Sequence, residues 1–196
     1  MRSRLYPPVK KFVSSDRGLI LALFWGVAEA LFWPILPEFY LFAATPAEHR
    51  RWWRLALFAT VGSVIGGSIG YWLAYPRASS FPLEYMPLIT EGMIHQAGAW
   101  LAADGALAIL KQPLSGVPYK VFVFLTGAGH LSFPLFLWGS MVARFIRIFA
   151  VTGIAAIIGR VCEKKWPRWY DLFVGAFVIV FVYALWKVVQ MFPPPG

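Results

Sequence analysis

Charge is scarce in this chain. Only 14% of its 196 residues are Asp, Glu, Lys or Arg, against about 25% in soluble domains. So few charges cannot cover a chain that is 59% hydrophobic with mean hydropathy +0.63, so the apolar solvent has to be a bilayer. Cysteine is nearly missing. The lone Cys162 excludes an intramolecular disulfide and a Cys-based metal cluster. Three histidines, His49, His95 and His130, stand too far apart for a recognisable ligand spacing. There is no Ser-His-Asp order, Gly-x-Ser-x-Gly elbow or His-Glu-x-x-His. Catalysis therefore has no positive signal, and neither an enzyme nor a cofactor is expected. The basic N-terminus lacks a small-residue cleavage site after its apolar stretch, so it reads as retained.

Acidic residues are the scarcer sign: nine Asp and Glu against 18 Lys and Arg, a formal charge of +9. The basic residues sit in short flanks: Arg2, Arg4, Lys10, Lys11 and Arg17; His49, Arg50, Arg51 and Arg54; Arg160, Lys164, Lys165 and Arg168. Each flank abuts an apolar run, the pattern of the positive-inside bias. A nucleic-acid footprint would gather them on one exposed element, so no nucleic-acid partner is expected. Ten Trp, eight Tyr and 17 Phe suit membrane interfaces.

The apolar runs give an all-α integral membrane protein. After a basic segment, 1–17, that could form a surface helix or a loose arm, residues 19–45 are long enough to span but contain Glu29, Pro34, Pro37 and Glu38. Two prolines three apart break a helix, and broken helices at membrane depth need protein or a water-filled cavity around them. Basic flanks on both sides favour a re-entrant hairpin turning at Pro34-Ile35-Leu36-Pro37; a kinked spanning helix is the alternative. A span follows over 55–75, with Gly62, Gly66 and Gly70 forming a packing seam on one face.

Residues 76–105 are poor in Lys and Arg and read as a trans loop, with an interfacial helix around Thr90 to Ala102. The first pattern then returns. A second hairpin, 106–131, is broken by Lys111-Gln112-Pro113-Leu114-Ser115-Gly116-Val117-Pro118, with Pro113, Gly116 and Pro118 as its turn residues. A span over 133–158 carries Arg144 and Arg147; a basic loop and a last span occupy 162–196, ending in Pro193-Pro194-Pro195-Gly196. Two broken segments at corresponding places in two halves point to an inverted-repeat transporter, the re-entrant hairpin plus span being the unit and the C-terminal helix an addition. The membrane domain covers 18–161, the N-terminus is cytoplasmic and the C-terminus trans.

The interior charges need an explanation. A carboxylate at the bilayer centre costs on the order of 3 kcal/mol, so Glu29 should face a cation or water and could take up and release a proton. Glu38 sits near the hairpin tip, where solvating the turn is the alternative role. Lys111 and Lys120 bracket the second break, and Arg144 and Arg147 share a helix face at three-residue spacing. Four cations near two carboxylates suit an anion such as phosphate. The alternatives are snorkelling of the lysines and an earlier end to the arginine-bearing span.

Glu29 followed by Pro34-Ile35-Leu36-Pro37-Glu38, the Gly-rich stretch Gly62 to Tyr71, Gly116-Val117-Pro118-Tyr119-Lys120 and Gly127-Ala128-Gly129 occur in an order that resembles the DedA family, also called SNARE-associated or VTT-domain proteins. The likeness covers roughly residues 20–160. The resemblance implies two opposed re-entrant hairpins meeting at the midplane of a bacterial inner membrane. It also implies movement of polyprenyl phosphates or phospholipids between leaflets, in some members coupled to protons. Glu29 and Glu38 match the family's acidic pair. Lys111 and Lys120 fall, more widely spaced, where the family usually has two arginines, and Lys is a point charge rather than a planar fork. The expectation is thus a flippase or scramblase whose partners are lipids with phosphate headgroups, with proton coupling and homodimer formation left open. The alternatives are a small-solute/proton antiporter on the same scaffold and a non-transporting assembly factor.

Overall fold

The structure, a computed structural model, describes residues 3–76, 83 and 86–191. Part of the expected trans loop (77–82, 84 and 85) and the terminal Pro193-Pro194-Pro195-Gly196 lie outside the described residues. The described chain is helical throughout, and three stretches are long and apolar enough to cross a membrane: Pro37–Ala74, Phe133–Val161 and Trp166–Gln190. Their outer faces carry large exposed apolar side chains, among them Ile157 (65% exposed) and Ile179 (72%). That is the surface of a membrane protein, with lipid as its apolar solvent.

Helix α1 (Tyr6–Val13) is a short amphipathic helix whose entry is pinned to the far end of the chain. The Asp171 carboxylate accepts from the Ser3 hydroxyl (2.5 Å) and from the Arg4 and Leu5 amides (2.9 and 3.0 Å). Helix α2 (Asp16–Leu31) stops where Pro34 removes a backbone donor and forces its neighbour out of helical geometry. The chain restarts as α3 (Pro37–Ala44), Pro37 taking the first helical position where its missing N–H costs nothing. Helix α3 then runs back beside α2. Tyr40 donates to the Gly18 carbonyl (3.0 Å), Trp25 to the Ile35 carbonyl (2.9 Å), and Ser14 to the Glu48 carboxylate (3.2 Å).

A 3-10 stretch, Thr45–Arg51, bends at Glu48 (φ −142°, ψ 66°) and feeds α4 (Trp52–Ala74). At 1.5 Å per residue α4 is roughly 35 Å long, enough for a bilayer core. Its glycines decide its neighbours. A Cβ on Gly66 would sit 2.6 Å from the Val27 carbonyl, and one on Gly62 would strike the Leu23 carbonyl, so α2 lies directly against α4. Further along the same seam Gly70 meets the side chains of Val123 and, less closely, Leu31 of α2. Gly26 of α2 and Gly127 near the end of the second broken segment make equally close approaches, to the Ala59 and Tyr71 carbonyls.

Helix α5 (Glu91–Asp104) is capped by the Thr90 hydroxyl. It is docked by buried Met93, Ala97 and Leu101 rather than lying free at an interface. Past Gly105 a 3-10 stretch, Gly105–Lys111, leads into the single turn α6 (Gln112–Ser115). The expected break over 111–118 is therefore too wide. Pro113 lies inside the helical turn, at a position where its missing donor is harmless, and the chain turns only at Gly116-Val117-Pro118. Gly116 supplies the left-handed step (φ 75°).

Helix α7 (Tyr119–Ala128) returns, and its end is tied to the end of α4 by the Tyr71 hydroxyl donating to the Leu131 carbonyl (2.5 Å). Helix α8 (Phe133–Val161) runs unbroken past Arg144 and Arg147, so the span does not end early. Helix α9 (Trp166–Gln190) leans on α3 through a ladder of Phe39, Phe42, Phe173, Phe177 and Phe181.

Candidate functional site: a charged centre between two turns

Five charged side chains converge where the two broken segments meet. Glu29 is in the last turn of α2 and Glu38 in the first turn of α3, one on each side of the five-residue break. Arg144 and Arg147 project from one face of α8, and Lys120 is the second residue of α7. Glu29, Lys120 and Arg144 are at most 2% exposed, and Glu38 is 6% exposed.

The pairing is specific. Arg144 Nη2 donates to Glu29 Oε2 and to the Ser63 hydroxyl, both at 3.0 Å, and its guanidinium lies 4.9 Å over the Tyr119 ring. Arg147 Nε lies 2.8 Å from Glu38 Oε1. Glu29 Oε1 and the Nε and Nη1 of Arg144 have no hydrogen-bond partner among the described residues. Lys120 pairs with neither carboxylate: its ammonium donates to the Trp33 carbonyl in the first turn, at 2.7 Å.

Among the described residues three cations thus face two carboxylates, and the cation outside the two ion pairs sits at the N-terminal end of α7. The positive end of that helix dipole opposes a lysine there. The N-terminal end of α3 faces the same region. Net positive potential at a buried centre is a setting for an anion.

A cavity of about 150 Å³ opens on this centre, with Glu29, Lys120 and Arg147 among its lining. Pro34 and Leu36 of the first turn, Gly116 and Pro118 of the second, Met93 of α5, and Leu185 and Val188 of α9 also border it. At about 30 Å³ per water, that space holds a handful of waters or one phosphate-sized group.

Lys111 does not join the others. The stretch Gly105–Lys111 packs back along α5 and carries Lys111 to Asp104, with its ammonium 5.8 Å from the Trp100 ring centre and 47% of the side chain exposed. The expected set of four central cations is corrected to three. Among the turn residues, Pro34, Gly116 and Pro118 border the cavity, Pro37 starts α3 and Pro113 lies apart in α6. Gly62 and Gly66 hold α2 against α4, and Gly70 holds α7 there.

Sequence reasoning missed Ser63 and the role of Tyr119. Ser63 adjoins Gly62 on a face of small residues, and a polar side chain on such a face was the available signal. Tyr119 places its hydroxyl against Gly67, where any Cβ would collide with it. Among the described residues no group of three or more His, Cys, Asp or Glu side chains could hold a metal ion.

No known family profile and no solved structure matches the chain. The chain is similar to an uncharacterized protein of Haemophilus influenzae, 26% identical over 176 residues, covering 83% of this chain and 87% of that one. It is also similar to an uncharacterized protein of Histophilus somni, 26% identical over 178 residues, covering 86% and 90%. Both likenesses extend over more than four-fifths of the chain.

Proposed function

We propose that the charged centre is the anion site of a DedA-like membrane transporter, which moves a phosphate-bearing lipid such as a polyprenyl phosphate or phospholipid between leaflets. The observation that carries this reading is Lys120: a buried ammonium in no ion pair among the described residues, on a cavity bordered by both turns. A phosphate oxygen would supply its missing counter-charge, with Arg147 on the same cavity wall. The hydrophobic surround would suit a lipid tail better than a free solute.

The architecture supports an inverted repeat of a re-entrant hairpin and a span. In the first half α2 lies on the following span, α4; in the second the Gly105–Ser115 arm lies on the following span, α8. The return arms cross over, α3 to α8 and α7 to α4. Both hairpins would then dip to the midplane from opposite faces. Ser14 and Arg51 lie together at one end, where the Arg51 guanidinium donates to the Ser14 carbonyl (2.5 Å). That end also carries the basic flanks, which favours a cytoplasmic N-terminus in a bacterial inner membrane.

The test is translocation of a fluorescent phospholipid and of a polyprenyl phosphate in proteoliposomes of purified protein. Faster flux than in protein-free vesicles is expected, and flux equal to theirs rejects the reading. A second reading, a proton-coupled antiporter of a small solute, is favoured by the unpartnered Glu29 Oε1. Solute-dependent proton flux after a pH jump, without lipid movement, would select it.

A further inference from the structure

The basic end of the molecule carries a second cleft, remote in its lining from the charged centre. It lies between the bend at Glu48 and the last turns of α8, has a volume of about 620 Å³, and shares no residue with the central cavity. Its rim is charged: His49, Arg50, Arg160 and Glu163. Its floor is apolar, with Gly153 and Ile157 one to two helical turns deeper and Trp52 as a side wall. Seven residues separate Arg160 from Gly153, about 10 Å along the helix. The cleft is therefore polar at one end and apolar at the other.

Two details make it more than a run of surface charge. Gly159 admits the bend itself, since a Cβ there would sit 2.9 Å from His49 Cβ and from Pro46 Cα. Gly153 leaves the floor open, the closest atom to its missing Cβ being Trp52 Cζ3 at 3.7 Å. The neighbouring arginines are engaged elsewhere: Arg51 with Ser14 and Asp16, Arg54 over Trp53, Arg168 over Trp169. Arg50 and Arg160 make no ion pair among the described residues.

We propose that this cleft holds one anionic glycerophospholipid as a resident ligand. Its phosphodiester lies between Arg50 and Arg160, where planar guanidinium forks match paired phosphate oxygens. One acyl chain runs down over Gly153 against Trp52 and Ile157. Glu163 on the rim disfavours a headgroup with a second negative charge and accepts from a headgroup hydroxyl. A single-charged polyol headgroup such as glycerol fits both. Basic pockets at the ends of membrane helices are suited to such lipids. The assignment does not rest on the transport reading, because it uses neither that cavity nor those residues.

Native mass spectrometry of the detergent-purified full chain tests it, titrating phosphatidylglycerol against phosphatidylcholine of identical acyl chains, with inorganic phosphate as a third arm. One phosphatidylglycerol per chain should be retained, with little phosphatidylcholine. The double variant Arg50→Gln, Arg160→Gln should bind on the order of 30-fold more weakly. Gly153→Leu, which fills the floor and leaves both arginines, should weaken binding several-fold. Ile157→Ser at an exposed position should do the same if Gly153→Leu disturbs folding. Equal retention of the two lipids, or displacement of phosphatidylglycerol by inorganic phosphate, would overturn the proposal. So would unchanged binding in both floor variants, the mark of diffuse surface charge.

Discussion

Arg144 and Lys120 belong to one charged centre but stand in opposite positions. Arg144 is matched: it bridges Glu29 and Ser63 and lies over Tyr119. Removing it strands a buried carboxylate, so Arg144→Ala should lower stability by about 3–5 kcal/mol. Replacing both partners, Glu29→Leu with Arg144→Leu, should restore most of that loss while leaving transport abolished. Thermal unfolding in detergent, set beside flux, reads both outcomes; recovered flux in the double variant would make the pair purely structural. Lys120 makes no ion pair among the described residues, so Lys120→Ala should leave the unfolding midpoint nearly unchanged: losing a buried charge offsets losing the bond to the Trp33 carbonyl. Glu29 and Glu38 were legible in the sequence because a carboxylate in an apolar run stands out. Which cations they meet was not, because the pairing joins residues 115 positions apart.

At the scale of elements, prolines and glycines carried most of the readable information. Pro34 marked the first break, and the Gly62, Gly66 and Gly70 spacing marked a seam where the α2 backbone comes close at Gly62 and Gly66 and side chains pack at Gly70. The second break was harder, since Pro113 reads as a breaker although it serves as a helix start within Gln112–Ser115. What ends the helical turn is Gly116, three residues past Pro113, which takes the left-handed conformation (φ 75°). Gly116→Ala should therefore cost about 1–2 kcal/mol, whereas Pro113→Ala should be nearly silent. Gly66→Val should push α2 off α4 and cost about 1–3 kcal/mol. Unfolding midpoints of the three variants check this; equal losses at 113 and 116 would contradict it. The 3-10 form of Gly105–Lys111, which turns Lys111 toward Asp104, left no mark in hydropathy.

For the whole molecule, three stretches long and apolar enough to cross a membrane followed from apolar run length alone. Topology did not, because entry and exit sides depend on a charge bias rather than on packing. The hairpin reading makes a definite prediction. In a Cys162→Ser background, single cysteines at Ser14 and His49 should react with an impermeant thiol reagent from one side of the membrane. Native Cys162 should react from that same side, and opposite-side labelling of Ser14 and His49 would replace the hairpin with a crossing helix. What the meeting of the two turns is for is measured most directly by phosphate-lipid flux in proteoliposomes containing wild type, Lys120→Ala or Lys120→Arg. Loss of a charge-assisted contact predicts flux about tenfold or more lower in Lys120→Ala, at unchanged thermal stability, with partial recovery in Lys120→Arg. Wild-type flux in a correctly folded Lys120→Ala protein would contradict the account.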